Sequence, residues 1–428
     1  MATITTTIGA GSTHDSDINI ISSSGSGPYL VTVDDSSGVS VGDALWDEGG
    51  PPTKNLILSV VDGTTLTTAH NPSSEGYAQA EVKRYYSGST PLTDWEAGLD
   101  SSIYSEYDNA VGVVYNDADI DDSISLNGGG GVTLTSVKLT VASDERHDGT
   151  SNSGARINYT SAGAVIDIAR TGFAYEIEWL EITQSNFSPS STQNFGIKFG
   201  QDDDPVIQNC LVYGIVGSTH NGRQAIGIGT GGSRALPQII NSMIFDIGGG
   251  TSDASGGIGI KMNAHNAAVG ALNCTIHDCA DVGAYGGIGV DATNLDVRNC
   301  ISTDNANDDF DGTYDSKDYN LSSDTTADGA NSLVSKSSSN QYVSNSGSYD
   351  LHLKSGADAI DAGTDLVATP SGVEIDIDGR DRNVQDDTWD IGADEFLATG
   401  GILNRFSAMS GGVGKNMFSE GLTGGMRE

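Results

Sequence analysis

Ile207-Gln208-Asn209-Cys210-Leu211-Val212, Ile239-Ile240-Asn241-Ser242-Met243-Ile244, Ala271-Leu272-Asn273-Cys274-Thr275-Ile276 and Val297-Arg298-Asn299-Cys300-Ile301 are four copies of one phrase. A degenerate earlier copy is Ile177-Glu178-Trp179-Leu180-Glu181-Ile182, and successive copies start 30, 32, 32 and 26 residues apart. A second phrase keeps step with the first: Gly196-Ile197-Lys198, Ala225-Ile226-Gly227-Ile228, Gly257-Ile258-Gly259-Ile260 and Gly287-Ile288-Gly289-Val290. Two interleaved phrases of one period define repeats too small to bury their own apolar faces, which must stack on their neighbours. Alternating apolar and polar positions rich in β-branched residues make the units strands. Helical repeats would need apolar residues at three- and four-residue spacing, whereas here Gly, Asn, Asp and Ser punctuate every unit as turn formers.

The expected fold is therefore all-β, a right-handed parallel β-helix that climbs one strand spacing, roughly 4.8 Å, per turn. About ten turns between residues 100 and 396 would make a rod on the order of 50 Å long. Asn209, Asn241, Asn273 and Asn299 would stack as a ladder at one corner, a short amide bridging the backbones of successive turns. Cys210, Cys274 and Cys300 follow the ladder position and read as small buried hydrophobes. Cys274 and Cys300 fall on adjacent turns, where a disulfide is geometrically conceivable, although four cysteines in 428 residues make no disulfide scaffold.

Composition bounds the partners. The 58 acidic against 20 basic residues give a formal charge of −38, which argues against nucleic acid and favours solubility, cation binding or docking on a basic surface. Residues 1 to 20 carry neither a basic n-region nor an apolar h-region, and no stretch reaches the length of a membrane span. Synthesis in the cytosol without a signal peptide and no membrane partner are the expectations.

Four segments follow from texture. After an N-terminal stretch, 1–27, residues 28–89 hold short alternating runs, Tyr29-Leu30-Val31-Thr32-Val33, Val39-Ser40-Val41-Gly42-Asp43 and Leu56 to Thr67, with Asp62-Gly63 as a hairpin signal. They predict a small antiparallel β-barrel. The rod is expected over 90–396, its end plugged by a helix that Thr90-Pro91 starts and that runs through Leu92, Trp95 and Leu99, with Thr93 and Glu96 spaced as a capping box. Residues 397–428 are Gly-rich, carry three of the six Met, and balance Arg405, Lys415 and Arg427 against Glu420 and Glu428. Ile402, Phe406, Met409, Met417 and Phe418 make this tail a candidate docking peptide that orders on a partner.

Near the end, Asp350-Leu351-His352-Leu353, Ala359-Ile360-Asp361-Ala362-Gly363-Thr364, Asp376-Ile377-Asp378-Gly379-Arg380 and Asp390-Ile391-Gly392-Ala393-Asp394-Glu395-Phe396 resemble the closing segment of right-handed parallel β-helix repeat proteins of the pectate-lyase-like superfamily. Glu145-Arg146-His147-Asp148-Gly149-Thr150, with the Trp95 helix, looks like a subgroup encoded by tailed bacteriophages and found on virions. The resemblance covers about residues 90 to 396. It implies the β-helix; for function it spans lyases, hydrolases, adhesins, tailspikes and passive capsid ornaments.

A glycan-cleaving enzyme on this scaffold would align its catalytic groups on one outer face. Asp202 and Asp203 supply paired carboxylates, with His220 and Arg223 on later turns, yet neither the Gly-His-Gly nor the Arg-x-Lys of polygalacturonase-like members is present. The acidic run from Asn307 to Asp318 puts Asn307, Asp309, Asp311, Asp315 and Asp318 at positions 1, 3, 5, 9 and 12 with Gly312 at 6, the spacing of a calcium loop. Calcium is the one ion so implied; no cofactor is required. Together these features predict a non-enzymatic structural protein of a tailed-phage virion, a capsid decoration or fibre component that contacts other virion proteins and is open to self-association. The alternative is a tailspike-like binder or depolymerase of host surface polysaccharide.

Overall fold

Parallel pairing at the repeat interval organises the structure. The chain, a computed structural model, is described over residues 3–9, 17–25, 28–34, 36, 39–46, 54–70, 79–105, 107–127, 134–169, 174–185, 193–200, 205–217, 225–230, 237–248, 256–279, 287–367, 370–385 and 388–397. It is all-β, 49% strand and 6% helix, with large parallel sheets.

One sheet has seven short parallel strands, from Arg156–Asn158 through Leu211–Tyr213 to Leu321–Ser322. Glu181, Leu211, Met243, Thr275, Ile301 and Leu321 lie in register across it. Each follows by two residues a position with left-handed backbone: Trp179, Asn209, Asn241, Asn273, Asn299 and Tyr319 have φ between 48 and 62°. Asn tolerates this region because its short amide bonds locally, which is why it recurs there. A second left-handed series, Gly214, Asp246, Asp278 and Asp304, closes the same strands five residues on.

The larger sheet has fourteen strands. Two parallel runs within it merge at Gly257–Leu272, which pairs with Ala225–Thr230 on one side of a corner and with Gln238–Ile240 on the other. The column between the sheets is filled by stacked aliphatics such as Ile166, Ile197, Ile228, Ile260 and Val290. Cys210, Cys274, Cys279 and Cys300 are free and buried in it, as structural rather than reactive thiols are; burial pushes the Cys210 thiol up to about 12 and raises those of Cys279 and Cys300.

The N-terminal boundaries differ from those predicted. Strand β1, Thr3–Gly9, belongs to the large sheet and pairs in parallel with Asn109–Val114. The barrel starts at residue 17 rather than 28: β2 (Asp17–Ser24), β3 (Tyr29–Val33), β4 (Ala44–Trp46), β5 (Lys54–Asp62), β6 (Thr65–Thr68) and β7 (Gln79–Lys83) pair in the order β2-β3-β6-β5-β4-β7, and β7 returns to β2. Thr- and Ser-rich strands hide their alternation, because Thr and Ser occupy both faces. Val39 to Asp43 is a turn, not a strand. Gly42 (φ 95°) sits so close to β1 that a Cβ there would lie 3.1 Å from the Thr5 carbonyl oxygen.

Thr7 and Arg84 fasten barrel to body. Thr7 Oγ1 donates to Asp43 at 2.8 Å, and Arg84 reaches Asp43 at 3.3 Å and Asp117 at 3.1 Å. Helix α1, Pro91–Gly98, then buries Leu92 and Trp95, with the Trp95 ring close over Gly112. No capping box forms: Thr93 donates from its N–H and hydroxyl to Asp122, and Glu96 accepts from the Asn127 N–H.

Past residue 350 the chain becomes a strap. It runs back along the Asn corner and over the outer face of the seven-stranded sheet, where Leu351, Leu353, Ile377, Ile391 and Ala393 pack against Leu211, Met243, Phe245 and Ile301.

Candidate functional site

The Asn corner binds the strap. Asn273 Nδ2 donates to Asn241 Oδ1 and to the Val373 carbonyl, at 3.0 and 2.9 Å. Asn299 Nδ2 donates to Asn273 Oδ1 at 3.0 Å and to the Thr364 carbonyl at 2.7 Å, while its Oδ1 accepts from the Thr364 N–H. Asn241 reaches the Gly372 carbonyl and Asn209 the Asp376 carbonyl. Each amide therefore binds the strap, and the last three also bind one another.

At the end of this row, 145–150 and 350–396 meet around a cavity of about 730 Å³ whose lining includes Arg146, His147, Trp179, His352, Asp378 and Arg380. Trp179 occupies the first left-handed position, φ 62°. A bulky side chain there is strained by roughly 1–3 kcal/mol. The Arg146 guanidinium stacks 4.4 Å from its ring centroid. His147 is buried beneath: one ring nitrogen meets the Asn209 carbonyl at 2.8 Å and the other accepts from the Gly149 N–H. Burial holds His147 down to about 4, so it is neutral. Gly149 (φ 84°) is required by a close approach, since a Cβ would lie 2.3 Å from His352 Nε2.

His352 is the opposite case. Its Nδ1 and Nε2 contact Asp350 and Asp378 at 2.6 and 3.0 Å. Burial opposes its charge, but the Asp378 hydrogen bond and the charges of Asp394 and Asp378 outweigh that and hold it up to about 10. Arg380 Nη2 lies 2.7–2.8 Å from carboxylate oxygens of Asp376, Asp378 and Asp394. Arg382 is fully buried against Glu395 at 2.7 Å and donates to the Gly392 and Ala393 carbonyls.

His352, Asp378 and Asp394 offer ligand atoms within 4.8 Å of one another, the one such group among the described residues. A divalent ion would have to displace Arg380 from two of these carboxylates and a proton from His352. The cluster is built as an ion-pair network rather than a metal cage.

The predicted calcium residues are not brought together. Phe310–Asp318 is a strand that follows Ile288–Arg298 round the corner with shifts of register, and no three of Asp309, Asp311, Asp315 and Asp318 bring carboxylate oxygens within 4.8 Å of one another. Asp309 turns inward, where its carboxylate accepts from Asn305, Ser323 and the Asp324 N–H. Asp318 caps the Tyr319 and Asn331 N–H groups. Loop spacing in the sequence could not reveal this, because Asp and Gly also serve an irregular strand edge. Asp202, Asp203, His220 and Arg223 lie outside the described residues, as do the docking positions Ile402, Phe406, Met409, Met417 and Phe418.

One carboxylate pair escaped the sequence reading. Glu176 and Glu178 project from one strand toward Lys138, whose Nζ lies 3.3 and 2.7 Å from them, and Gln208 Nε2 donates to both. Burial and the neighbouring Glu178 push Glu176 up to about 7. The ordinary alternation of the strand carried no sign of it. Glu181 is buried next to this pair in sequence, where three backbone N–H groups, of Asn152, Ser153 and Gly154, and the Tyr213 hydroxyl all donate to its carboxylate.

No protein-family model matches this chain, and no curated protein or solved structure matches it.

Proposed function

We propose that the stacked body is a right-handed parallel β-helix and that the chain is a non-enzymatic structural protein of a tailed-phage virion, a capsid decoration or a fibre component. The observation that carries this reading is the self-pairing of charge in the 730 Å³ cavity. His352 lies between Asp350 and Asp378, and Arg380 among Asp376, Asp378 and Asp394. A catalytic acid or base keeps a proton or a lone pair for its substrate; these groups use theirs to hold the strap.

Parallel pairing at about thirty-residue intervals, with a left-handed corner at six successive repeats and a second one at four of them, supports the solenoid. The phrases at 145–150 and 350–396 support the virion, with capsid or tail proteins as partners, and the reading needs no cofactor. Among the described residues no helix is long and apolar enough to cross a membrane.

A second reading, a tailspike-like binder of host polysaccharide, is favoured by Arg146, whose guanidinium lies over Trp179 at the cavity with no hydrogen-bond acceptor among the described residues. Purified virions and glycan digests separate the two. The structural reading expects many copies per particle, with neither reducing ends nor unsaturated products released from acidic or neutral host glycans. A few copies at the tail, or cleavage abolished by Asp203→Asn, would establish the alternative.

A further inference from the structure

Between barrel and body lies a second cavity, of about 450 Å³, with Ile4, Leu56, Leu58 and Ile103 on its apolar side and His70, Ser105 and Tyr107 among its polar lining. Pockets of this size at the junction of two folding units, part apolar and part polar, are where small organic ligands bind, with a few polar groups fixing their orientation. Here one such group is a cation. Lys54, the first residue of β5, lines the cavity, and its Nζ donates to the Tyr85 carbonyl at 2.6 Å.

The same Nζ lies 5.2–5.3 Å from the ring centroids of Trp46, Tyr85 and Tyr86. Three π faces stabilise an ammonium, but they supply no anion. No carboxylate oxygen lies within 4.0 Å of Nζ among the described residues, and the charge felt most is that of Asp94. An ammonium has three N–H donors; one is used on Tyr85. Burial accordingly lowers the Lys54 pKa more than Asp94 raises it, the condition of a cation short of a counter-charge.

We propose that this cavity binds a small organic anion, a carboxylate on an alkyl or aryl body, with the carboxylate on Lys54 Nζ and the body against Leu56, Leu58 and Ile103. The ligand class follows from the lining, since a neutral apolar molecule would leave the ammonium unpaired and an inorganic anion would leave the walls uncovered. The formal charge of −38 repels such an anion at long range, so affinity must come from short-range pairing and burial of the tail. Added salt, which screens the repulsion, should speed association.

The test is calorimetric titration of the full chain with octanoate, octanol and acetate, each a probe of one part of the ligand. Octanoate should bind saturably at one site, octanol at least tenfold more weakly, and acetate not measurably. Lys54→Met should reduce octanoate affinity to that of octanol. Because that variant also loses the bond to Tyr85, a second variant, Leu58→Trp, fills the cavity with Lys54 in place and should abolish binding while the melting temperature holds. Equal affinity for octanoate and octanol, unchanged octanoate binding in Leu58→Trp, or no octanoate binding to the parent chain overturns the proposal.

Discussion

Asn273 and Val373 are one hundred residues apart in the chain, yet Asn273 Nδ2 donates to the Val373 carbonyl at 2.9 Å. The same amide bonds Asn241, and its oxygen accepts from Asn299. One side chain thus joins three sequence repeats and the strap.

Replacing it should be costly for two separable reasons. Asn273→Leu leaves buried partners unpaired, at roughly 1–3 kcal/mol for each group, and forces a branched side chain to φ 50°, which adds strain of about 1 kcal/mol or more. Asn273→Gly loses the hydrogen bonds without the strain. Urea denaturation should rank the parent above Gly and Gly above Leu, with a total loss of about 3 kcal/mol or more for Leu. Equal stability of the two variants would mean that backbone strain plays no part.

Alkaline pH should loosen the strap. The folded-state pKa of His352 is raised from 6.5 to about 10, so its contribution is fully present below about 6.5 and is lost as pH rises through about 10. Burial also raises Glu395 and Asp390. A carboxyl raised in the folded state acts in the same direction, stabilising at low pH and less so as pH climbs. The melting temperature should fall between pH 6.5 and 10, and the fall should be smaller in His352→Gln.

Glu181 should be one of the least replaceable acids. Its carboxylate receives three backbone N–H groups and a tyrosine hydroxyl in a fully buried site. Glu181→Ala orphans all four donors, for a loss of about 4 kcal/mol or more; Glu181→Gln keeps an acceptor oxygen and should lose less. Denaturation midpoints of the pair check this, and a smaller loss for Ala than for Gln would contradict it.

The tail should matter for assembly rather than for folding. Deleting residues 397–428 removes none of the ladder or ion-pair contacts described above, so the melting temperature should barely change. Incorporation into particles, measured by gel densitometry of purified virions, should be lost. Full incorporation of the truncated chain would move attachment to the barrel.

What was legible in the sequence is what repeats. Asn209, Asn241, Asn273 and Asn299 stand out because a left-handed corner admits few residue types and the corner recurs. The companion series Gly214, Asp246, Asp278 and Asp304 obeys the same rule, but it changes residue type and so escaped notice. The strap was illegible as a partner of the Asn corner because it offers backbone carbonyls, which every residue has. The cavity brings His147 and His352 together from distant parts of the chain, and nothing in either local phrase encodes the meeting. Phe310–Asp318 misled because oxygen-rich spacing is shared by loops and strands, and only backbone extension distinguishes them.

Stacked repeats usually touch only their neighbours, and so they can fray from either end one unit at a time. Here the strap contacts Asn209 through Asp376 and Asn299 through Thr364, and its residue Gly379 lies beside Trp179. Opening the repeat at Trp179 or the repeat at Asn299 therefore disturbs a segment that also holds the other. Nearest-neighbour coupling becomes coupling across the five repeats from Trp179 to Asn299, and within them progressive unzipping gives way to all-or-none loss. Under mechanical load these strapped repeats would hold together until they failed as one.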